Sequence, residues 1–362
     1  MKNILIVIPS LKLWWWAEKV AAKIWSKFYG WWYTTKYITF YNVDKKYNFS
    51  WEEYCLNENL EWNVVSKFFK LFSRAYQIKK FCKKNKIDTI FSFIEDANFP
   101  SIVSKLLWNR AKINISIRHS ISDYWKWIYY RLIKLLYKYA DNIIVLTQFE
   151  KNNLIKTFNI KEKKIRVIPN AIDIDIIEEQ KNQDLWEYKN LFDTNKFTFI
   201  TVWRLHKVKN QELIIKCFNK LNDKYPNIQL LILWDWELRD QLENLSNKNV
   251  HFLWIQENPY KFLSKSNCFL LSSLNEAFPN TMLEAMACWL PIISTEAQWP
   301  NEILDNWKYW ILVKNNAEDD FYNAMKKIFL YKNYCKDLST KMIKRIKLFK
   351  SENIIKKREN TL

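Results

Sequence analysis

Short apolar runs alternate with helical segments along most of the chain. In the first half, the runs predict strands at Ile4–Ile8, Tyr37–Tyr41, Thr89–Phe93, Ile113–Ile117 and Asn142–Leu146. The second half repeats the pattern at Phe197–Val202, Gln229–Leu233, Val250–Leu253, Cys268–Leu271 and Pro291–Ser294. Helical periodicity lies between or beside these runs, as in Glu18–Phe28, Ser66–Lys84, Tyr129–Tyr139, Gln211–Lys224 and Asn280–Cys288. Strands that alternate with helices indicate parallel sheets covered on both faces.

Two such series predict an α/β protein with two doubly wound, Rossmann-like domains. The length of 362 residues agrees, because single domains usually hold about 100–200 residues. We expect an N-terminal domain at residues 1–172, a C-terminal domain at 173–330, and a helical tail at 331–362 that packs back on the N-terminal domain. The polar stretch 173–195 is the expected junction. Open α/β sheets bind ligands outside the carboxyl ends of their strands, so two facing domains would form one cleft.

A basic turn follows the predicted strand Phe197–Val202 and leads into a helix. It contains Arg204 and Lys209. Arginine supplies a fork of donors and lysine a point charge, and this combination suits a diphosphate at the carboxyl end of a strand. The alternative is a turn whose cations are only solvated.

Two carboxylates, eight positions apart, follow the predicted strand Cys268–Leu271. Glu276 lies in the loop, where a carboxylate can accept hydrogen bonds from sugar hydroxyls. Glu284 is expected in the first turn of the next helix, whose N–H groups can meet a phosphate. The alternative for Glu284 is a capping box with Thr281, which needs no ligand.

The composition contains one anomaly. There is a single glycine, Gly30, beside 20 tryptophans, whereas glycine usually makes up about 7% of a protein. Several tryptophans, such as Trp14–Trp16 and Trp234, stand in turns where glycine is favoured because it has no Cβ. The hypothesis is that most Trp letters stand for glycine, through a UGA codon that some bacterial lineages read as Gly. The alternative is a protein that is rich in tryptophan.

The remaining composition limits the class of protein. Lys+Arg 57 against Asp+Glu 38 gives a net charge of +19, and 49% of the residues are hydrophobic, which excludes a disordered chain. The six cysteines form no CxxC motif and no group with histidine, so neither a metal site nor a disulfide framework is expected. No segment approaches the roughly 20 apolar residues of a membrane-spanning helix, and MKNILIVIPS reads as a strand, not a signal peptide. A cytoplasmic protein, soluble or peripheral on the membrane, is expected.

Two basic segments with interleaved aromatic residues suggest a membrane face. Residues 66–84 and 126–138 can be read as amphipathic helices with cations beside an aromatic stripe. Anionic lipid attracts such surfaces by about 1 kcal/mol per cation. The alternative is an ordinary core-facing helix with a solvated basic side.

The motifs together resemble the group 1, or family 4, glycosyltransferases of the GT-B fold. The resemblance rests on Arg204 with Lys209 after a strand, and on the E-x7-E spacing of Glu276 and Glu284. With glycine in place of tryptophan, five further segments agree in order, namely GGGAE at 14–18, VIPNAID at 167–173, GDGELR at 234–239, ACGLPIIST at 287–295 and QGPNEI at 298–303. The resemblance covers roughly residues 1–330, and tryptophans stand where the family has glycine.

The resemblance implies roles for particular residues. Arg204 and Lys209 would neutralise the diphosphate of a nucleotide-sugar donor, Glu276 would contact the transferred sugar, and Glu284 would hold the ribose. Backbone groups of Phe278, Pro279 and Asn280 would meet the sugar and phosphate. In the N-terminal domain His119 would lie near the donor sugar, with a structural histidine as the alternative. The positions of Trp15, Trp16 and Trp203 belong to the donor-binding loops.

The family likeness also implies the reaction and its partners. Such enzymes usually retain the anomeric configuration, need no bound metal or other cofactor, and most often use a UDP-sugar. The expected function is transfer of a hexose or N-acetylhexosamine to a saccharide or lipid-linked acceptor in cell-envelope polysaccharide or glycan synthesis, with an anionic membrane surface as a further partner.

Two other functions fit parts of the sequence. A GT-B-fold UDP-sugar epimerase would share the architecture and bind a similar donor without an acceptor. A basic nucleic-acid-binding protein would explain the charge of +19. Against that second reading, the cations are spread over both halves and no nucleic-acid module is present, so no nucleic-acid partner is expected.

Overall fold

The chain divides into two compact units. The computed structural model describes residues 2–11, 21, 33–43, 53–59, 64–118, 127–192, 196–234, 237–276, 278–296 and 311–362. The first unit comprises Met1–Ala171 with Ser351–Leu362, and the second comprises Ile172–Lys350. The segment expected as a tail, 331–362, is therefore shared between the two units.

The first unit is built on a seven-stranded parallel sheet. Its order is β3-β2-β1-β4-β5-β6-β7, and all neighbouring strands are parallel. The strands are β1 (Lys2–Ile8), β2 (Tyr33–Thr39), β3 (Glu53–Cys55), β4 (Thr89–Phe93), β5 (Lys112–Ser116), β6 (Asn142–Val145) and β7 (Ile165–Val167).

The second unit repeats this plan with six parallel strands. Its order is β10-β9-β8-β11-β12-β13. The strands are β8 (Phe197–Val202), β9 (Ile228–Leu233), β10 (Val250–Leu253), β11 (Cys268–Leu271), β12 (Ile292–Thr295) and β13 (Ile311–Val313).

Helices connect the strands of each sheet. In the first unit they are α1 (Val64–Lys84), α2 (Glu95–Leu106), α3 (Trp127–Leu136) and α4 (Gln148–Phe158). The second unit has α5 (Ile174–Gln180), α6 (Gln211–Asn222), α7 (Arg239–Asn244), α8 (Tyr260–Leu263), α9 (Asn280–Ala287), α10 (Glu318–Leu330) and α11 (Lys332–Ile346), and α12 (Ser351–Glu359) returns to the first. Short 3-10 helices lie at Tyr137–Tyr139, Glu162–Lys164, Trp186–Leu191, Lys207–Lys209 and Lys347–Phe349.

The central strands are buried on both faces, which is why they are continuous apolar runs in the sequence. Every residue of β4, β6, β9 and β11 is buried. In each sheet the chain begins at a central strand and proceeds outwards in both directions, so the order reverses between β1 and β4 and again between β8 and β11. Ligands of doubly wound sheets bind at such reversals, outside the carboxyl ends of the strands.

The predicted α/β class and all ten predicted strands are confirmed, and three short strands, β3, β7 and β13, were not predicted. The polar stretch 173–195, expected as the junction, is instead largely folded into the second unit. It contains α5 and the 3-10 helix Trp186–Leu191, and the side chains of Asn258 and Gln229 donate hydrogen bonds to the carbonyls of Gln180 and Leu191.

Among the residues that the structure describes, four tryptophans have the positive φ angles that favour glycine. They are Trp108 (66°), Trp186 (49°), Trp234 (136°) and Trp289 (64°). A bulky side chain at positive φ is strained because its Cβ crowds the backbone. This geometry agrees with the hypothesis that these letters stand for glycine.

Candidate active site

The residues singled out in the second unit gather where β8 and β11 lie side by side. Two segments follow the carboxyl ends of these strands, and we name them the basic turn (residues 203–210) and the acidic loop (residues 272–276). Because β8 and β11 are parallel neighbours at the reversal of strand order, both segments emerge at the same edge of the sheet. This is the edge at which a doubly wound sheet binds its ligand.

Local hydrogen bonds fix the shape of the basic turn. The imidazole Nδ1 of His206 accepts a hydrogen bond from the backbone N–H of Val208 at 3.3 Å and so caps the 3-10 helix. Asn210 has a left-handed φ of 49° and directs the chain into α6. The side-chain amide of Gln211 donates to the carbonyl of Arg204 at 2.8 Å. These contacts position the backbone on which Arg204 and Lys209 stand.

The acidic loop is bonded directly to the basic turn. The hydroxyl of Ser272 donates to the carbonyl of Lys209 at 2.7 Å, and the N–H of Leu274 donates to the carbonyl of Val208 at 2.8 Å. On the other side, the hydroxyl of Thr295 donates to the carbonyl of Ser273 at 2.7 Å. The basic turn and the acidic loop are thus hydrogen-bonded to each other at this edge of the sheet.

A nearly buried ion pair joins the two segments at their side chains. The ammonium of Lys209 lies 2.5 Å from Oε1 of Glu276, and the hydroxyl of Ser273 donates to the same oxygen at 2.7 Å. The two charged side chains are only 12% and 6% exposed. The ammonium also lies 4.0 Å from the ring centre of Trp203. Limited access of water strengthens the electrostatic effect of such charges on a bound ligand.

The predicted cations lie on one turn but in different surroundings. Arg204 is exposed, two residues beyond the end of β8, whereas Lys209 is partly buried against Glu276. Trp203 is buried, and its indole N–H has no hydrogen-bond partner among the described residues. The basic turn therefore combines one exposed cation with one that is held in a nearly buried ion pair.

The segment that precedes α9 has the form of an anion-binding helix start. Pro279 is extended, Asn280 is the first helical residue, and the first turn of α9 contains no acidic side chain. Phe278 is buried and packs edge-to-face on Phe349 with ring centres 6.3 Å apart. The positive end of a helix dipole favours an anion at this position.

Glu284 lies in the second turn of α9, not in the first turn as expected, because the helix begins at Asn280. Its carboxylate is buried and accepts a hydrogen bond from the Tyr260 hydroxyl at 3.0 Å. The alternative capping box is absent, since Thr281 lies inside the helix and its hydroxyl has no partner among the described residues. Glu284 is therefore a buried carboxylate with a phenolic donor.

Two family profiles match the chain. The profile described as glycosyl transferases group 1 matches residues 182–346, and the profile described as glycosyltransferase family 4 matches residues 60–176. An uncharacterized glycosyltransferase of Methanocaldococcus jannaschii, MJ1059, is 37% identical over 291 residues, which cover 75% of this chain and 71% of that protein. The chain belongs to the group 1 glycosyltransferases.

Two further comparisons extend this result. The N-acetylgalactosamine-N,N'-diacetylbacillosaminyl-diphospho-undecaprenol 4-alpha-N-acetylgalactosaminyltransferase of Campylobacter jejuni is 28% identical to this glycosyltransferase over 277 residues, which cover 73% of each chain. The crystal structure of Anabaena Alr3699/HepE, in complex with UDP and glucose, matches with a TM-score of 0.81 at 15% identity, over 100% of this chain and 99% of that chain. The predicted GT-B fold is therefore confirmed, and the protein is a transferase of the glycosyl class.

The sites predicted in the N-terminal half of this glycosyltransferase lie outside the described residues. This applies to His119, Trp15 and Trp16. In the second unit, the structure brings Lys209, Glu276 and Trp203 into contact and places Arg204 on the same turn.

Sequence reasoning did not assign roles to three residues that complete this site. Ser272 and Ser273 directly follow the last residue of β11, so their position close to Glu276 was a usable signal. Tyr260 lies 24 residues before Glu284, and no sequence pattern links the two.

The described part of this glycosyltransferase contains no group of three or more metal-ligating side chains. None of its described helices is both long enough and apolar enough to cross a bilayer. All six cysteines are free thiols.

Proposed function

We propose that this glycosyltransferase transfers a hexose or N-acetylhexosamine from a UDP-sugar to a lipid-linked saccharide during cell-envelope polysaccharide synthesis, with retention of anomeric configuration. The UDP complex of Alr3699/HepE supports the donor class. The diphospho-undecaprenol substrate named for the Campylobacter relative supports the acceptor class.

The observation that carries the proposal is the Lys209–Glu276 ion pair at the reversal between β8 and β11, with Arg204 on the same turn. When the bond between the anomeric carbon and the diphosphate oxygen breaks, negative charge develops on the diphosphate. Lys209 and Arg204 would neutralise that charge, so that the leaving group departs without a metal ion or other cofactor. The acceptor hydroxyl would form the new bond to the anomeric carbon and transfer its proton to the departing diphosphate.

Two carboxylates would orient the donor, one on the sugar side of the breaking bond and one on its nucleotide side. Glu276, held by Ser273 and Lys209, would accept hydrogen bonds from hydroxyls of the transferred sugar. Glu284, held by Tyr260, would accept from the ribose hydroxyls. The start of α9 at Asn280 would receive the diphosphate or the sugar through backbone N–H groups.

A donor and acceptor screen with paired variants tests this function. The purified chain is incubated with UDP-sugars and an undecaprenyl-diphosphate-linked saccharide, with and without a chelator. Lys209→Ala is expected to lower kcat by about 10²–10³, the usual cost of removing one group that stabilises a leaving charge. Lys207→Ala removes an exposed cation of the same 3-10 helix and is expected to leave kcat unchanged.

Three results would contradict the proposal. An altered free sugar nucleotide without transfer would indicate an epimerase. Complete loss of activity in chelator would indicate a required metal ion. Equal losses in Lys207→Ala and Lys209→Ala would show that only the net charge of the turn matters.

We further propose that α1 and α3 hold the enzyme on the anionic inner face of the cell membrane. On α1, the side chains of Phe68, Phe69, Phe72 and Tyr76 are 45–70% exposed on one face. The cations that follow on that face, Lys80, Lys83 and Lys84, are also exposed. Exposed aromatic residues beside cations suit a lipid interface better than water.

Helix α3 has the same character. Trp127 and Leu135 are 64% and 57% exposed, and the guanidinium of Arg131 stacks on Trp127 at 3.7 Å. Both helices pack against α2, on the same side of the first sheet. The exposed aromatic side chains of both helices favour lipid contact over an ordinary core-facing helix with a solvated basic side.

Co-sedimentation with vesicles tests this surface. We expect binding to vesicles of phosphatidylglycerol and phosphatidylcholine that weakens as salt increases, and little binding to phosphatidylcholine alone. The double variant Phe68→Ser/Phe69→Ser is expected to bind at least tenfold more weakly, because each inserted ring contributes about 1.5–3 kcal/mol. Tyr331→Ser, which removes an exposed aromatic side chain of the second unit, serves as the control. Undiminished binding of the double variant would exclude this surface.

A further inference from the structure

Strand β5 presents polar side chains to one face of the first sheet. Its isoleucines Ile113 and Ile115 point into the larger core with α1 and α2. Because side chains alternate along a strand, Asn114 and Ser116 face the opposite side, and Arg118 just beyond the strand continues their spacing. All three are buried. This arrangement is a polar stripe inside the fold.

Helix α12 covers that opposite face and contributes a second buried arginine. Ile354 and Ile355 pack with strand residues such as Ile4, Ile6 and Phe93. Arg358, one turn further along α12, is 0% exposed. The chain that follows α12 is hydrogen-bonded to the same part of the sheet. The side-chain amide of Asn142 donates hydrogen bonds both to the side-chain oxygen of Asn114 and to the carbonyl of Thr361.

On this face of the sheet, most of the polar atoms without a partner are hydrogen-bond donors. Among the described residues no partner is found for Nε, Nη1 and Nη2 of Arg358, for Nε and Nη2 of Arg118, for Nδ2 of Asn114, or for the hydroxyl of Ser116. Arg118 does donate from Nη1 to the Asn170 side chain, and its guanidinium lies 5.0 Å from the ring centre of Phe93. No carboxylate of the described chain forms an ion pair with either arginine.

The charge of Arg358 also acts on Arg118. Burial lowers the pKa of Arg358 to about 10, and burial together with the charge of Arg358 lowers the pKa of Arg118. A lowered pKa means that the surroundings penalise the positive form. Leaving buried charges and donors unpaired costs several kcal/mol per ion, so this part of the fold is complementary to negative charge.

We propose that Arg118 and Arg358, with Asn114 and Ser116, form a binding site for a phosphate group inside the first unit. A phosphate group carries a charge of about −1.5 to −2 at neutral pH and therefore matches two guanidinium groups. Its unprotonated oxygens accept hydrogen bonds, and each arginine can donate two parallel hydrogen bonds to them. Arg118 follows the carboxyl end of β5, so the group would enter from that edge of the sheet.

Calorimetric titration with inorganic phosphate, at constant ionic strength set with sodium chloride, tests the site. The full chain is expected to bind phosphate, and its Tm is expected to rise by about 3 °C when phosphate exceeds its Kd tenfold. Arg358→Met is expected to weaken phosphate binding at least tenfold. The same substitution should raise Tm in phosphate-free buffer, because an apolar side chain replaces a buried unpaired charge.

Matched variants distinguish phosphate binding at this site from a general attraction of phosphate to the positively charged protein. Lys357→Met removes an exposed cation of α12 and should leave phosphate binding unchanged, whereas Arg118→Met should weaken it as Arg358→Met does. A wild-type chain that does not respond to phosphate, or an Arg358→Met chain that still binds it, would overturn the proposal. Displacement of phosphate by farnesyl diphosphate would identify a prenyl diphosphate as the source, and failure to displace it would identify free phosphate. Neither result depends on sugar transfer.

Discussion

Trp108 and Trp289 occupy helix ends that glycine normally fills. After α9, the N–H of Trp289 bonds to the carbonyl of Met286 and the N–H of Leu290 to that of Ala285. After α2, Trp108 and Asn109 make the equivalent bonds to Lys105 and Ser104. This is the Schellman pattern, whose left-handed residue is usually glycine. Both tryptophans have that left-handed φ and expose much of the indole.

Replacing these tryptophans by glycine is therefore expected to stabilise the protein. Relief of backbone strain raises the free energy of unfolding by about 1–2 kcal/mol at each position. Glycine also gives the unfolded chain more conformational freedom, which lowers the free energy of unfolding by about 0.5–1 kcal/mol. We expect Trp108→Gly and Trp289→Gly each to raise the free energy of unfolding of its own unit by about 0.5–1 kcal/mol, measured in urea.

Trp254 provides the matched control for this prediction. It is exposed, has no positive φ and stacks against Arg239 at 4.1 Å, so Trp254→Gly should give no gain. Equal losses in all three variants would contradict the strain argument. A peptide mass spectrum of the natural protein that shows tryptophan at 108 and 289 would reject the decoding hypothesis itself.

At the scale of elements, sequence pattern predicts a strand when several buried apolar residues follow one another. The strands β4, β9 and β11 are such runs, and they lie where the pattern places them. The strand β7 has only three residues, and its central Arg166 is exposed. A run of that length has no detectable period, which explains why β3, β7 and β13 could not be predicted.

Helices are predictable when their buried face is apolar. Helix α1 meets this condition with Ala75, Ile78 and Cys82 in the core. Helix α2 does not, since Pro100 lies inside it and Asn98 and Ser101 are buried. Buried polar side chains are placed by tertiary hydrogen bonds, such as that of Asn98 to the Ser116 carbonyl, and these bonds are invisible to a pattern of apolar positions.

In the candidate site, too, some features could be predicted from the sequence and others could not. The position of Lys209 and of Glu276 at the carboxyl end of a strand could be predicted, because each follows an apolar run. Their salt bridge and the bond between Tyr260 and Glu284 could not be predicted. Those contacts depend on which strands are neighbours in the sheet and on how α8 packs on α9.

At the scale of the whole molecule, the first unit is completed by a segment that follows the second unit in the chain. Ser351–Leu362 joins Met1–Ala171 after an interval of 179 residues, Ile172–Lys350. Its isoleucines Ile354 and Ile355 cover one face of β1 and β4, and Lys112 donates a hydrogen bond to the carbonyl of Leu362. The core of the first unit is therefore incomplete until α12 is in place.

Removing the apolar side chains of α12 should accordingly unfold the first unit selectively. Each buried Ile→Ala substitution costs about 2–5 kcal/mol, so Ile354→Ala/Ile355→Ala should remove most of the 5–15 kcal/mol that usually stabilises a domain. Hydrogen exchange should show loss of protection in β1 and β4, while β8 and β9 remain protected, because domains with their own cores unfold separately. Lys356→Ala/Lys357→Ala, on the exposed side of α12, should change neither sheet. Equal loss of protection in both sheets would instead mean that the two units unfold as one cooperative structure.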